Sequence, residues 1–180
     1  MKRPQLGLQP DQVLVVEHDP LWKREFEQVR MELLQQLSSL SSDQIQHVGS
    51  TAIDGLQAKP IIDIALGVEE EEAQWSVYDT PLRIAGFYRL KVQRPQEAVF
   101  ARFADAAFQV KTHFIHMIPY DGEHWRNMIF FRDYMNQHED ARKRYAQLKM
   151  NFIAQQQHGI MEYTAYKEQY IQQIFALRNS

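Results

Sequence analysis

The sequence predicts an α+β domain: a mixed β-sheet with one helical layer and a helical carboxyl-terminal third packed against it. Three observations lead there. Short apolar runs rich in β-branched residues fall between positions 45 and 118, the spacing of strands. A stripe of apolar residues at helical spacing precedes them, and from position 119 onward apolar residues recur every three or four positions. With 180 residues, 44% hydrophobic and 24% charged, the chain can bury one sizeable core. Residues 1–180 are therefore expected to form a single domain, with a sheet-containing part at 1–118 and a helical part at 119–180.

The elements follow in order. Residues 13–16 form a short apolar run, suited to a strand or to a lead-in beside the first helix. Asp19 and Pro20 supply a cap followed by proline at the first helical position. Trp22, Phe26, Val29, Leu33 and Leu37 then lie along one helical face, which assigns them to the core. After a serine-rich loop at 38–42, residues 45–48 and 60–68 read as strands. A helix is expected over much of 70–86, broken near Thr80 or restarted at Pro81. Residues 87–92, 99–103 and 111–118 read as further strands, the first two joined as a hairpin. The rest reads as helix, with Trp125, Ile129, Arg132 and Met135 on one face, then Ala141, Tyr145, Leu148 and Phe152, then Tyr163, Lys167, Tyr170 and Ile174. Gly159 marks the break between the last two helices. The glutamine run at 155–157 is an exposed helix end.

Composition narrows the function classes. The chain has no cysteine, which excludes disulfides, thiolate metal sites and a cysteine nucleophile, and fits a cytoplasmic location. No segment approaches the length of a membrane span and the amino terminus lacks an apolar signal core. A net charge of −3 argues against long nucleic acid as a partner. Glu69 to Glu72 fall where a helix should begin, so they complement its dipole and face solvent.

Chemistry is concentrated in Gln46-His47-Val48-Gly49-Ser50-Thr51 and in the strand that follows Lys59. A Gly-Ser turn can present backbone N–H groups to phosphate oxygens, and a carboxylate on the neighbouring strand can hold the cation that neutralises them. Alternation along the second strand places Ile61, Asp63, Ala65 and Gly67 on one face and Ile62, Ile64, Leu66 and Val68 on the other. The second face is core, and an acid on the first points to function. Lys59 is a point charge suited to phosphate, and Ser50 and Thr51 are hydroxyl donors beside it. On the strand at 111–118, His116 shares a face with Phe114, whereas His113 shares one with Ile115 and Met117, so the two imidazoles point opposite ways unless a bulge intervenes. His116 is the stronger site candidate, and His113 reads better as a core histidine than as a ligand. Arg132, on an apolar helix face, needs a partner: Asp133, Asp63 or a bound phosphate. Tyr163 and Lys167, one turn apart, are weaker candidates for ligand contact.

The run from His47 to Ile64, together with Lys111 to His116, Phe130 to Tyr134, Tyr145, Leu148, Lys149 and Tyr163 to Lys167, resembles the GrpB-like family, which is similar in turn to the nucleotidyltransferase superfamily. The resemblance spans nearly the whole chain and implies a nucleotidyltransferase-like sheet. In that pattern two acids alternate on one strand and a third lies on a neighbour, clamping two divalent metals. Asp63 matches the first acid, and Ala65 stands where the second would be. Family members often carry histidine where this chain has Phe114. The resemblance implies Asp63 and His116 as catalytic residues, with Asp63, His116 and His113 as ligands of Mg2+ or Mn2+. It further implies Gly49, Ser50, Thr51, Lys59 and Arg132 as contacts of a nucleotide or phosphometabolite, with His47 holding the turn or touching the ligand. The expected function is a nucleotidyltransferase-like enzyme; a non-catalytic nucleotide-binding module and a metal-dependent phosphohydrolase are the alternatives. Restoring the missing acid by Ala65→Asp is expected to raise metal affinity.

Overall fold

Five strands form one sheet in the order β1-β2-β5-β4-β3, where β1 is Ile45–Val48, β2 Ile62–Val68, β3 Tyr88–Arg89, β4 Ala98–Phe103 and β5 Lys111–Pro119. The structure is a computed structural model that describes residues 4–10, 12, 14–92, 94–154 and 160–178, excluding the side chains of 160–164. Position 13, the glutamine run at 155–157, Gly159 and the side chain of Tyr163 lie outside the described residues. Neighbouring strands are antiparallel except β2 and β5, which run parallel and make the sheet mixed, as the sequence predicts.

One face of the sheet carries the larger core. Ile62, Ile64, Leu66 and Val68 of β2, with Ile115 and Met117 of β5, pack against α1 (Leu21–Gln36) through Trp22, Phe26, Val29 and Leu33, and all are at most 4% exposed. Each such side chain contributes about 1.5–3 kcal/mol on leaving water. Asp19 caps α1 by accepting from Leu21 N at 2.9 Å. The apolar lead-in pairs with the chain before β2 through a single reciprocal bridge, Val16 to Ala58, and adds no strand.

The opposite face is covered only in part. Trp125 of α3 (Glu123–Gln137) lies over Val48, Ala65 and Ile118, flanked by Met128 and Ile129. Gly67 admits this helix, since a Cβ there would fall 2.6 Å from Tyr120 and 3.0 Å from Trp125. Beyond it α4 (Glu139–Ala154) and α5 (Ile160–Leu177) complete the helical third. Phe131, Met135, Tyr145 and Ile174 close over Ile53 and Leu56 from the connection between β1 and β2. The helical third therefore clamps the loop that follows the Gly-Ser turn.

Two expected elements differ. In place of a helix over 70–86 the chain makes a 3-10 stretch, Glu72–Tyr78, followed by the six-residue α2, Asp79–Ile84. Pro81 falls in the first turn of α2, where no backbone donor is required. Glu70 holds the tighter coil, its carbonyl accepting from Trp75 Nε1 at 2.9 Å and its carboxylate from the Tyr78 hydroxyl at 2.6 Å, so this half-buried acid is paired. The strand expected at 87–92 is two residues long because Phe87 dives into the core, fully buried.

Candidate functional site

The site begins at the turn. Gly49 adopts φ +70° and ψ −170°, a combination open in practice only to glycine, and a Cβ there would lie 2.5 Å from Asp63 Oδ2. The β1–β2 register sets Val48 opposite Asp63, so turn and carboxylate are in contact by construction. A 3-10 turn, Ser50–Ala52, follows, and the Ser50 side chain hydrogen-bonds Tyr145 of α4. The Asp63 side chain retains 31% of its exposure, so this end of the sheet face stays open where α3 does not reach.

His116 comes to the same face from β5. Its Nε2 lies 3.5 Å from Asp63 Oδ1, and its Nδ1 lies 2.6 Å from Oε1 of Glu97 at the entrance to β4. Glu97 is buried, and both of its oxygens also accept from Arg94 Nη1, at 3.1 and 3.2 Å. Burial disfavours a charged His116, but the carboxylates on its two sides outweigh that and raise its pKa to about 9. Burial likewise works against the Glu97 carboxylate, and hydrogen bonds from His116 and Arg94 prevail, lowering its pKa to about 2. Glu97 was not a sequence candidate. A lone acid ahead of an apolar strand becomes visible as a partner only once β4 is paired with β5 in the register Ala98 to Met117.

Other expected residues are placed elsewhere. His113 is 3% exposed on the opposite face, with Nδ1 2.9 Å from the Thr112 hydroxyl and its ring edge-on to Phe87. Burial lowers its pKa to about 3, and strand alternation removes it from the metal ligands. His47 stacks on Phe26 with ring centroids 4.9 Å apart, and burial lowers its pKa to about 3. The Thr51 hydroxyl donates to Ile61 O at 3.2 Å, which leaves the neutral His47 to donate from Nε2 across 3.0 Å to Thr51 Oγ1. The pair holds the turn from beneath, so the Thr51 side chain faces inward and not toward a ligand. Arg132 braces α3 to β1, donating to Gln46 Oε1 at 2.9 Å, to His47 O at 3.0 Å and to Asp133 at 2.7 Å. These bonds supply the partner its apolar face requires and engage Nε and Nη1. Ala65, in the place of the missing acid, is wholly buried beneath Trp125.

Lysines gather on the open side. Lys149 of α4 is 1% exposed, donates Nζ to Gln57 O and lies 4.8 Å from the Tyr145 ring centre. Burial, then repulsion from Lys167 of α5, lowers its pKa to about 7. Burial and the same neighbour lower Lys59 to about 8, against the pull of Asp63. Lys167 is lowered as well, by burial, while Asp63 and Glu168 act to raise it. Lys149 carried one sequence signal, its place in the 145, 148, 149 cluster of the family resemblance; its depth behind the turn was not visible there.

Among the described residues no three histidine or acidic side chains converge as a metal-ligand set. Asp63 and His116 do offer two donors. With metal–ligand bonds of about 2.1 Å, two ligands of a tetrahedral ion stand about 3.4 Å apart, which matches the 3.5 Å between Oδ1 and Nε2. Two surface depressions, of about 310 Å3 beside Tyr134 and Tyr170 and about 590 Å3 beside Tyr88 and Phe108, include neither residue.

Comparison with known proteins adds family and fold. Residues 12–177 match the family described as GrpB protein. The chain is 38% identical over 170 residues to the glutamate-rich protein GrpB of Alkalihalophilus pseudofirmus, covering 94% of this chain and 97% of that one. A UPF0157 protein of Halalkalibacterium halodurans is 27% identical over 168 residues, with 93% and 83% covered. The crystal structure of conserved protein GrpB from Enterococcus faecalis superposes with a TM-score of 0.76 at 22% identity, over 93% of this chain and 100% of that one, which shows a common fold. The Cid1 poly(U) polymerase reaches a TM-score of only 0.48 at 14% identity, over 76% of this chain and 44% of its own, too slight to bear on activity.

Proposed function

The chain belongs to the GrpB protein family, and from that premise we propose that it binds a nucleotide or other small phosphorylated molecule between the Gly49-Ser50 turn and the lysines, with Asp63 holding one divalent cation. The observation that carries the reading is the contact of Gly49 with Asp63, whose carboxylate acts on both Lys59 and Lys167. Lys167 lowers the pKa of both Lys59 and Lys149, and positive charges set so close favour an anion, yet an isolated phosphate would be repelled by Asp63. A cation on Asp63 converts that repulsion into a bridge, so phosphate and metal satisfy the site together. In this arrangement Lys59 and Lys167 neutralise phosphate charge, Ser50 and Tyr145 fix the turn, and His47 and Thr51 support it from below.

Binding with one cation is favoured over two-metal nucleotidyl transfer because the position of the second acid is filled by Ala65 under Trp125. Transfer remains the second reading, supported by the strand-turn-strand order and the acid on the open face. Calorimetric titration with nucleoside triphosphates, with and without Mn2+ or Mg2+, tests both. Cation-dependent binding is expected, weakened 10-fold or more by Lys59→Ala, the effect of losing one charge-assisted bond worth about 1.5–3 kcal/mol. Cation-dependent release of pyrophosphate with an acceptor would move the reading to transfer. Absence of binding by any phosphorylated compound would overturn it.

A further inference from the structure

We infer that the cation bound at Asp63 is a first-row transition dication taken by an oxygen–nitrogen pair, Asp63 Oδ1 and His116 Nε2, in preference to Mg2+, and that Glu97 is the residue that positions the imidazole for it. The inference depends on the proposed function only in sharing Asp63. It concerns which ion binds and what aims its ligand.

Three features of the geometry support it. The two nitrogens of His116 are held unequally: Nδ1 makes a tight 2.6 Å bond to Glu97, whereas Nε2 faces Asp63 across 3.5 Å, beyond the usual 2.7–3.2 Å of an N–H···O bond. That gap is close to the separation of two ligands on one ion, and an ion there would take the place of the proton that the two carboxylates otherwise hold on His116. Glu97 is in turn unable to act as the ligand itself. It is buried, one oxygen is given to Nδ1, and both are drawn to Arg94. A carboxylate that grips the far nitrogen of an imidazole fixes its tautomer and plane and leaves the near nitrogen for a metal. Third, the donor set differs from one for magnesium. Mg2+ favours all-oxygen octahedra, whereas imidazole suits zinc-like ions and tolerates manganese. The second carboxylate that would build an oxygen site is absent, because Ala65, paired in register with His116, is buried beneath Trp125.

The test uses the full-length protein and metal ions alone. Mn2+ binding is followed by electron paramagnetic resonance and calorimetry, with competition by Zn2+ and Mg2+. Wild type should show nitrogen hyperfine coupling from one imidazole that disappears in His116→Ala, Zn2+ should displace Mn2+, and a tenfold excess of Mg2+ should not. Glu97→Gln should weaken Mn2+ binding 10- to 100-fold, and Glu97→Asp should recover part of the loss, whereas a residue that only supported the fold would lower the melting temperature and leave affinity in the folded fraction unchanged. Absence of nitrogen coupling in wild type, or displacement of Mn2+ by Mg2+ at equal concentration, overturns the ion assignment even if every variant misfolds. Unchanged affinity in folded Glu97→Gln overturns the role of Glu97. Nucleotide binding by a protein that takes up none of these dications would leave the ligand site standing and remove this inference, and metal binding without nucleotide binding would do the reverse.

Discussion

A methyl group on Gly49 would have to occupy space held by the Asp63 carboxylate, and the backbone there is one that side chains rarely permit. Gly49→Ala should therefore cost about 1–3 kcal/mol in conformational strain. For a chain of this size, thermal denaturation would show that as a fall of several degrees, about 2–4 °C for each kcal/mol. Nucleotide and metal binding should be lost together, because the clash pushes Asp63 from its place; a variant as stable as wild type would show that the turn relaxes freely. Ala65 makes the opposite point. Shared-face alternation predicts that Ala65→Asp gains metal affinity, but the residue is wholly buried with Val48, Ile118 and Trp125. An unpartnered carboxylate there is costly enough that the variant should lose at least about 2 kcal/mol and bind Mn2+ no more tightly. Urea denaturation together with a Mn2+ titration checks both, and tighter binding by a stable variant would refute the packing argument.

Among the elements, α4 carries the most unusual charge. Lys149 is enclosed, with its pKa lowered to about 7 by burial and by Lys167. An unfolded chain keeps the same lysine protonated to about 10.4. Between roughly pH 7 and 10 folding therefore releases a proton, and by linkage the native state gains up to about 1.4 kcal/mol for each pH unit relative to a variant without the lysine. Below pH 7 both states carry the charge and the difference is flat. Compared by urea unfolding from pH 6 to 9, wild type should gain stability relative to Lys149→Met as the pH rises above about 7; parallel curves would mean that the ammonium reaches solvent. The elements also show what the residues alone disclose. The α1 stripe, the alternation of β2 and the opposed faces of His113 and His116 are properties of local spacing, and they appear in the structure as read. The helix expected at 70–86 fails for a local reason that spacing hides, since Glu70 bonds to Trp75 and Tyr78 and tightens the coil.

Across the whole molecule, what could not be read is what depends on contacts distant in sequence. Glu97 meets His116 only through the β4–β5 register, Lys149 reaches Gln57 only because the helical third folds over the β1–β2 connection, and Arg132 finds Gln46 and His47 only when α3 crosses β1. The class of fold, the turn and its acid are encoded in short stretches; the surroundings that tune their charge are assembled from afar. The parallel seam between β2 and β5 has a kinetic consequence. β1 with β2, and β4 with β5, are antiparallel pairs whose strands are near in sequence, whereas β2 and β5, neighbours in the sheet, are separated along the chain by α2, β3 and β4. Such non-local pairing closes late and slowly in folding. Asp63 and His116 stand on opposite sides of that seam, so a half-assembled chain presents no site, and an ion shared by both would act as a rivet across the junction, stabilising the closed sheet over the open one.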